Sequence, residues 1–243
     1  MVINNEQAHK FFLEQGITHL FHANTLGTSC TFINAGGLLS RGCVERNGLF
    51  QTVQSSDTAD KTFDVWNDIF LDSADLHSLF NRINFYGPVL FKIKVDILLS
   101  ENLPELYVTK SNPRDWTVQE TKNDHYFTNF DAFKRVYKPG KSFQEMLTLK
   151  NTFSPLPFEG YLEEIILDNP QRSLMINSAY KDVYQESYTI LKNCMDNSPY
   201  NYNNVNITTR NCWPFCNCDD MYQETFESTI RKLFLKRALI TNT

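Results

Sequence analysis

The chain has 243 residues, of which 42% are hydrophobic, and its formal net charge at pH 7 is −5. This composition supports a substantial core and excludes a chain that is disordered throughout. The acidic balance excludes a global basic field for nucleic acid or membranes, so such a partner would need a local basic patch. The sequence has no apolar run long enough to span a bilayer and no signal-peptide pattern, so we expect a cytoplasmic protein without membrane contact.

The N-terminal half of the chain predicts an alternation of helices and strands. Helical periodicity and alternating apolar residues place them in this order: helix 5–16, strand 17–23, helix 25–39, strand 65–71, helix 73–83 and strand 86–99. Gly36 and Gly37 stop the second of these helices, and Ser73 can cap the third.

The C-terminal half mixes loops with further elements. The pattern predicts, in order, a basic and aromatic loop 133–143, helix 143–150, strand 161–167, helix 179–195, an Asn-rich loop 197–211, a cysteine loop and helix 220–239. Mixed strands and helices without regular strand–helix–strand repeats predict an α+β fold with two packed, mostly antiparallel sheets.

Three of the six cysteines, Cys212, Cys216 and Cys218, lie within seven positions. A cytosolic chain of this size rarely uses disulfides. A zinc site needs four ligands, and neither a nearby His nor a CxxC pair supplies the fourth. The pattern therefore favours free thiols and no metal.

Two glutamates, Glu163 and Glu164, begin the strand 161–167. Successive side chains on a strand point to opposite faces, so one carboxylate should face inward. A carboxylate facing inward is costly without partners or a task. The alternative interpretation is a charged strand head that guards an edge against pairing.

Three sequence blocks, in this order, resemble the ADP-ribosyltransferase superfamily. They are "LFHANTLGTSCTFINAGGLLSRG", "IFLDSADLHSLFNRINFYGPVLFKIKVDIL" and "EEIILDNPQ". Their layout also resembles DarT-like toxins, which are NAD-dependent enzymes that modify DNA bases. Departures from the related patterns narrow the activity. Ala23 and Asn24 follow His22, and Phe70 stands where poly(ADP-ribose) polymerases have Tyr, which disfavours polymer formation. Leu162 replaces the first Glu of the Glu-x-Glu pattern, which disfavours protein arginine as acceptor.

The resemblance implies a split pair of sheets around an NAD cleft in residues 1–196, with residues 197–243 packed on them as a loop and a C-terminal helix. It implies that Glu164 stabilises the cationic sugar formed when nicotinamide leaves, and that His22 holds a ribose. Aromatic walls for nicotinamide and arginines for the pyrophosphate complete the implied NAD site, which comprises His22, Asn24, Arg41, Phe70, Ser73, Phe80, Arg82 and Tyr86. Each has a plainer interpretation as a core or solvated residue.

The segment 133–143 interleaves basic residues with aromatic ones, a pattern that suits single-stranded DNA or RNA. The residues expected to bind this acceptor are Lys134, Arg135, Tyr137, Lys138 and Lys141. The alternative is a solvated loop whose aromatics anchor it to the core.

The sequence thus predicts an NAD-dependent mono-ADP-ribosyltransferase. The resemblance implies a toxin or defence effector that modifies a nucleic-acid base and is held by an antitoxin protein. Two alternatives stay open: a non-catalytic module that binds NAD or nucleic acid, and a protein-modifying transferase. A glycoside hydrolase that uses both glutamates is disfavoured, because adjacent strand positions point apart.

Overall fold

The computed structural model describes residues 2–212 and 216–236. The helices of this part are α1 (Asn5–Glu14), α2 (Leu26–Ala35), α3 (Arg41–Arg46), α4 (Asp57–Thr62), α5 (Leu76–Phe80), α6 (Lys122–His125), α7 (Phe130–Val136), α8 (Val183–Asp196), α9 (Cys218–Glu224) and α10 (Glu227–Phe234). Its strands are β1 (His19–Asn24), β2 (Gly37–Leu38), β3 (Ile69–Leu71), β4 (Val89–Lys94), β5 (Leu106–Val108), β6 (Leu147–Leu149), β7 (Leu156–Pro157), β8 (Leu162–Leu167), β9 (Ser173–Ile176), β10 (Ala179–Asp182) and β11 (Asn206–Thr209). None of the described helices is long and apolar enough to cross a membrane.

Two sheets dominate the fold. The larger has the strand order β1-β4-β8-β11, and within it only β11 and β8 run parallel. The smaller has the order β3-β6-β5 and is antiparallel. Reciprocal backbone hydrogen bonds of 2.8 and 2.9 Å between Phe21 and Asp72 join the end of β3 to β1. The predicted α+β class is confirmed, and the pairing in both sheets is mostly antiparallel.

Aromatic rings fill the space between α1 and α7. Phe11 packs edge-to-face against Phe130, Phe133 and Tyr137, with ring centroids 5.5–5.7 Å apart. Phe133 is fully buried. Edge-to-face contacts of this kind each add about 1 kcal/mol beyond the burial of area, so this cluster fixes both helices against the core.

Four sequence-based predictions of local structure are wrong. The segment 143–150 holds strand β6 rather than a helix, because its residues 147–149 are buried between β3 and β5. Part of the loop predicted over 133–143 belongs to helix α7. Asp75, not Ser73, caps α5, through a hydrogen bond of 3.1 Å from the His77 backbone N–H. The Asn-rich segment contributes strand β11.

The C-terminal segment adds to the main sheet and to the core. β11 extends the sheet beside β8, and the Tyr202 hydroxyl donates to the Ile33 carbonyl of α2 at 2.7 Å. The helix predicted over 220–239 is interrupted between α9 and α10, where Thr225 and Phe226 are extended, and its end lies outside the described residues. The domain boundary at residue 196 stays a prediction.

Candidate active site

One pocket opens where β1, β3 and the segment after α3 meet. Five of the residues that the sequence analysis assigned to NAD binding line it, and they come from four separate parts of the chain. These are His22, Asn24, Arg41, Phe70 and Tyr86. Met146, just before β6, closes the same pocket from the smaller sheet.

His22 presents an uncommitted hydrogen-bond acceptor to this pocket. Its Nδ1 lies 2.9 Å from the Phe70 carbonyl oxygen, which can only accept, so the ring hydrogen sits on Nδ1. The Nε2 atom is then a lone-pair acceptor, and it is buried without a hydrogen-bond partner among the described residues. Burial lowers the pKa of His22, which keeps the ring neutral. An unmatched buried acceptor costs about 1–3 kcal/mol, which a ligand hydroxyl would recover.

Two carboxyl groups in the pocket hold protons unusually well. Burial, with the nearby Asp75 as a second cause, raises the pKa of Asp72 to about 7. Within the described part of the chain the Asp72 side chain has no hydrogen bond or ion pair, while its backbone is fixed by Phe21. Burial also raises the pKa of Asp60 to about 6, against the opposing effect of a hydrogen bond from Ser56. A cation entering this pocket would therefore favour ionisation of Asp72.

Arg41 lies at the edge of the same pocket. Its guanidinium forms an ion pair with Asp57 at 2.7 Å and donates to the Thr52 carbonyl at 3.1 Å. The guanidinium also stands 5.1 Å from the centre of the Trp66 ring. The Arg41 Nε atom is buried and has no hydrogen-bond partner among the described residues. One donor of a rigidly held guanidinium thus remains for an anionic ligand.

A second pocket adjoins the first and shares Tyr86 with it. Arg82 lies between two aromatic rings here, 5.0 Å from the centre of Phe80 and 4.9 Å from that of Phe85. Phe143 packs edge-to-face on Phe80 at 4.9 Å. All four aromatic side chains of this pocket are exposed, Phe85 most of all at 55%. The structure therefore places Phe80 and Arg82 in this second pocket and not beside His22.

The register of the larger sheet separates Glu164 from His22. His22 pairs with Phe91 of β4, and Glu164 pairs with the next residue, Lys92. Paired residues share a face and successive residues alternate, so His22 and Glu164 point to opposite faces. The Glu164 carboxylate accepts from Thr208 at 2.7 Å and lies 3.4 Å from the Lys92 ammonium. The expectation that Glu164 meets His22 in one cleft is wrong.

A β-bulge also overturns the expectation that Glu163 and Glu164 point apart. The register between β4 and β8 shifts at Lys92 and Ile93, so both glutamates stand opposite Lys92. The Glu163 carboxylate lies 2.7 Å from Lys92 and 2.9 Å from His19. Hydrogen bonds from Lys92 and then His19 lower the pKa of Glu163 to about 2. Lys92 thus holds both carboxylates on the face away from the pocket.

A third glutamate, Glu145, lies next to pocket residues in the sequence but lines neither pocket. Glu145 stands between Gln144 of the second pocket and Met146 of the first, and it is half-buried. It has no hydrogen bond or ion pair within the described residues. Burial raises the pKa of Tyr137, and the charge of Glu145 adds to this effect.

Ser73 and Tyr137 are structural in this fold. Both are buried, and the Tyr137 hydroxyl donates to the Ser73 hydroxyl oxygen at 2.9 Å. Neither residue lines the two pockets described here, so the geometry does not support their assignments to NAD and to the acceptor. The aromatics of segment 133–143 anchor α7 to the core, apart from Phe143. The basic residues of this segment are exposed, and they are Lys134, Arg135, Lys138 and Lys141.

The statement that no histidine stands near the cysteines is also wrong. His77 of α5 places its Nε2 atom 3.2 Å from the Cys216 sulfur and 3.4 Å from the Cys212 sulfur. The sequence separation of 135 residues between His77 and Cys212 concealed this proximity.

Comparison with known proteins adds a likeness to a solved structure. The chain matches no protein-family model and no curated protein. Among solved structures it is similar to Thermosipho africanus DarTG in complex with ADP-ribose, with 14% identity and a TM-score of 0.43. The match covers 79% of this chain and 50% of that one, so this chain spans about half the length of the structure that it matches.

Asp72→Asn should change how stability depends on pH. Because folding raises the pKa of this carboxyl from 3.8 to about 7, the folded chain binds its proton more tightly than the unfolded chain. Wild type should therefore lose stability as pH rises between those values, and the loss should stay constant above them. Asp72 retains some solvent contact, so we expect the Asn variant to gain about 2 kcal/mol on wild type between pH 4 and 8.

Urea denaturation at a series of pH values measures this gain. Asp196→Asn, an exposed position at the end of α8, serves as the matched control and should show little pH-dependent difference. Parallel stability curves for wild type and Asp72→Asn would contradict the prediction.

Proposed function

We propose that the chain is an NAD-dependent mono-ADP-ribosyltransferase that binds NAD in the pocket around His22. The observation that carries this proposal is the Nε2 atom of His22, which has no hydrogen-bond partner among the described residues and lies in a pocket that Asp72 also lines. A neutral acceptor beside a carboxylate suits a ribose, whose hydroxyls donate and whose anomeric carbon becomes cationic when its leaving group departs. We further infer that the two main sheets form the split arrangement of this superfamily.

The reaction follows from these groups. The bond between C1′ of the ribose and the nicotinamide nitrogen breaks, and its electron pair leaves with nicotinamide. The positive charge that develops on the sugar is stabilised by a fixed carboxylate. The acceptor forms a new bond to C1′ and loses a proton to a general base. His22 would hold a ribose hydroxyl, Phe70 and Tyr86 would wall the nicotinamide ring, and Arg41 would meet the pyrophosphate.

The carboxylate role passes from Glu164 to Asp72, which follows β3 and lines the pocket. Asp72 lines the pocket directly, and cationic nicotinamide would favour its ionised form. Glu145 lines neither pocket, so it serves as a control carboxylate. Glu164, by contrast, faces Lys92 on the other side of the sheet.

Three variants distinguish these carboxylates. Removing the charge that stabilises the ribosyl cation should slow NAD cleavage by about a hundred- to a thousandfold. We expect this loss in Asp72→Asn, and changes below about threefold in Glu145→Gln, outside the pocket, and in Glu164→Gln, whose carboxylate lies beside Lys92. The measurement is nicotinamide release from NAD, with thermal melting of each variant to verify folding. A large loss in Glu164→Gln alone would disprove the assignment of the site to this pocket.

His22 and His19 form a matched pair on one strand. They point to opposite faces of β1. His19 contacts the Glu163 carboxylate and does not line the pocket. His22→Ala should weaken NAD binding by about tenfold, the value of one hydrogen bond to a neutral acceptor, while His19→Ala should leave it unchanged. Isothermal titration with NAD measures both. A non-catalytic NAD-binding module predicts the same binding result without nicotinamide release, so the two assays together separate the enzyme from the module.

The second pocket supports a nucleic-acid base as acceptor. Its exposed rings and Arg82 offer stacking surfaces and a cation next to the proposed ribose site. Stacking on an aromatic side chain is worth about 1–3 kcal/mol per base. Phe85→Ala and Arg82→Ala should therefore lower ADP-ribosylation of a single-stranded oligonucleotide by about tenfold or more, without changing NAD hydrolysis to free ADP-ribose.

Mass spectrometry of DNA and RNA oligonucleotides and of added protein measures the modified product. Tyr180→Ala is the control, because this exposed side chain on β10 lies outside both pockets. Equal activity of all three variants, or modification of protein alone, would contradict a nucleic-acid acceptor.

The proposed biological role is that of a toxin or defence effector with an antitoxin partner. An enzyme that modifies nucleic-acid bases would harm the cell that makes it. Growth arrest on expression that disappears in His22→Ala is the phenotype that this role requires, and a neutralising protein is the partner.

A further inference from the structure

Four side chains from three parts of the chain converge at one partly buried place. His77 comes from α5, Cys212 follows β11, and Cys216 and Cys218 stand at the start of α9. The imidazole nitrogen and the three sulfurs all lie within 4.8 Å of one another. The Cys212 and Cys218 sulfurs are 3.3 Å apart, and the Cys216 sulfur is 3.2 Å from the His77 Nε2 atom.

These distances suit a tetrahedral metal ion. Zinc binds sulfur at about 2.3 Å and imidazole nitrogen at about 2.0–2.1 Å, which separates the ligand atoms by roughly 3.5–3.8 Å. The three shortest distances between ligand atoms are 3.2, 3.3 and 3.4 Å, a few tenths of an ångström below this range. The limit of 4.8 Å on the widest distance exceeds the range by about 1 Å. Small side-chain adjustments would therefore place all four atoms around one ion. Three thiolates and one imidazole are also a ligand set that zinc favours over harder cations.

The environment of His77 provides an independent observation. Its Nδ1 atom is buried without a hydrogen bond among the described residues, and it lies 3.9 Å from the Asp168 carboxylate. Histidines that bind metal through one ring nitrogen almost always direct the other N–H to a carboxylate, a carbonyl or water. Asp168 is itself held by the Tyr222 hydroxyl at 2.7 Å and by Arg210. The outer support that a metal-bound His77 needs is thus already in place.

A disulfide between Cys212 and Cys218 explains less of this arrangement. Their sulfurs are 3.3 Å apart, against about 2.05 Å in a disulfide. Such a bond would leave His77 and Cys216 facing each other without a role. A metal ion accounts for all four side chains.

We propose that the chain binds one zinc ion through His77, Cys212, Cys216 and Cys218, and that this ion is structural. Four protein ligands leave no open position for substrate, which is the pattern of structural zinc. The ion would join α5, whose Leu76 and Phe80 line the second pocket, to the segment that follows β11. His77 itself also lines that pocket, yet zinc binding at these four ligands does not require the proposed transferase activity.

The metal content of the purified protein tests the proposal. The full chain is expressed with zinc in the medium, purified under reducing conditions and analysed by elemental mass spectrometry. We expect about one zinc per chain in wild type and in Cys194→Ala, a matched cysteine of α8 that lies outside the cluster. Cys216→Ser and His77→Ala should lose most of it, whereas His77→Cys, which restores a fourth zinc ligand, should retain it.

Cobalt substitution keeps the test independent of variant folding. Wild type refolded with Co²⁺ should show the visible absorption of a tetrahedral site and a thiolate-to-cobalt charge-transfer band. His77→Cys should strengthen the charge-transfer band because it adds a thiolate. Zinc below about a tenth of an equivalent in wild type would overturn the proposal, as would a Cys212–Cys218 disulfide under reducing conditions or zinc that is unchanged in Cys216→Ser and His77→Ala.

Discussion

The candidate site depends on the junction between the two main sheets. Phe21 of β1 and Asp72, directly after β3, exchange two backbone hydrogen bonds, and His22 donates its Nδ1 hydrogen to the carbonyl of Phe70. These three bonds fix the end of β3 against β1 and set the tautomer of His22. The same contacts bring the Phe70 ring, the Asp72 carboxyl and the free Nε2 of His22 to one pocket. A shift of β3 by one residue would turn Phe70 and Asp72 away from it.

The second constraint on the site is the charge distribution on the face of the larger sheet opposite to His22. Lys92 forms ion pairs with Glu163 and Glu164 there, because the bulge in β8 turns both carboxylates toward it. Ion pairs at half-exposed positions contribute little stability, but they oppose the approach of these glutamates to a ribose in the pocket. The pocket side carries the opposite arrangement, since Asp72 has no cationic partner within the described residues and is held near neutrality by burial. The pKa of Glu163 beside Lys92 and the pKa of Asp72 in the pocket are therefore shifted in opposite directions.

The sequence predicted helices and strands correctly where the local residue pattern and the tertiary packing favour the same structure. Helix α2 ends at Gly36 in the left-handed conformation, as the glycine pair predicted, and the alternation in β1 and β8 marked both strands. It failed at β6, where the residues after Glu145 have a pattern that a helix and a buried strand share. The bulge in β8 has no signal in the sequence, so the assumption of strict alternation wrongly placed the Glu163 and Glu164 side chains on opposite faces. Long-range pairs such as His77 with Cys212 are set by topology, which periodicity does not determine.

The C-terminal segment is part of the structure that shapes the pockets. Asp168, at the end of β8, is buried with Arg210, and Arg210 also pairs with Asp75, the residue that caps α5. Breaking a buried ion pair costs about 3–5 kcal/mol, because the remaining charge stays without compensation. This network ties the strand that carries Glu164 to the helix that carries His77, through a residue that follows β11. Since α5 borders the second pocket, the geometry of that pocket depends on residues more than a hundred positions further along the chain.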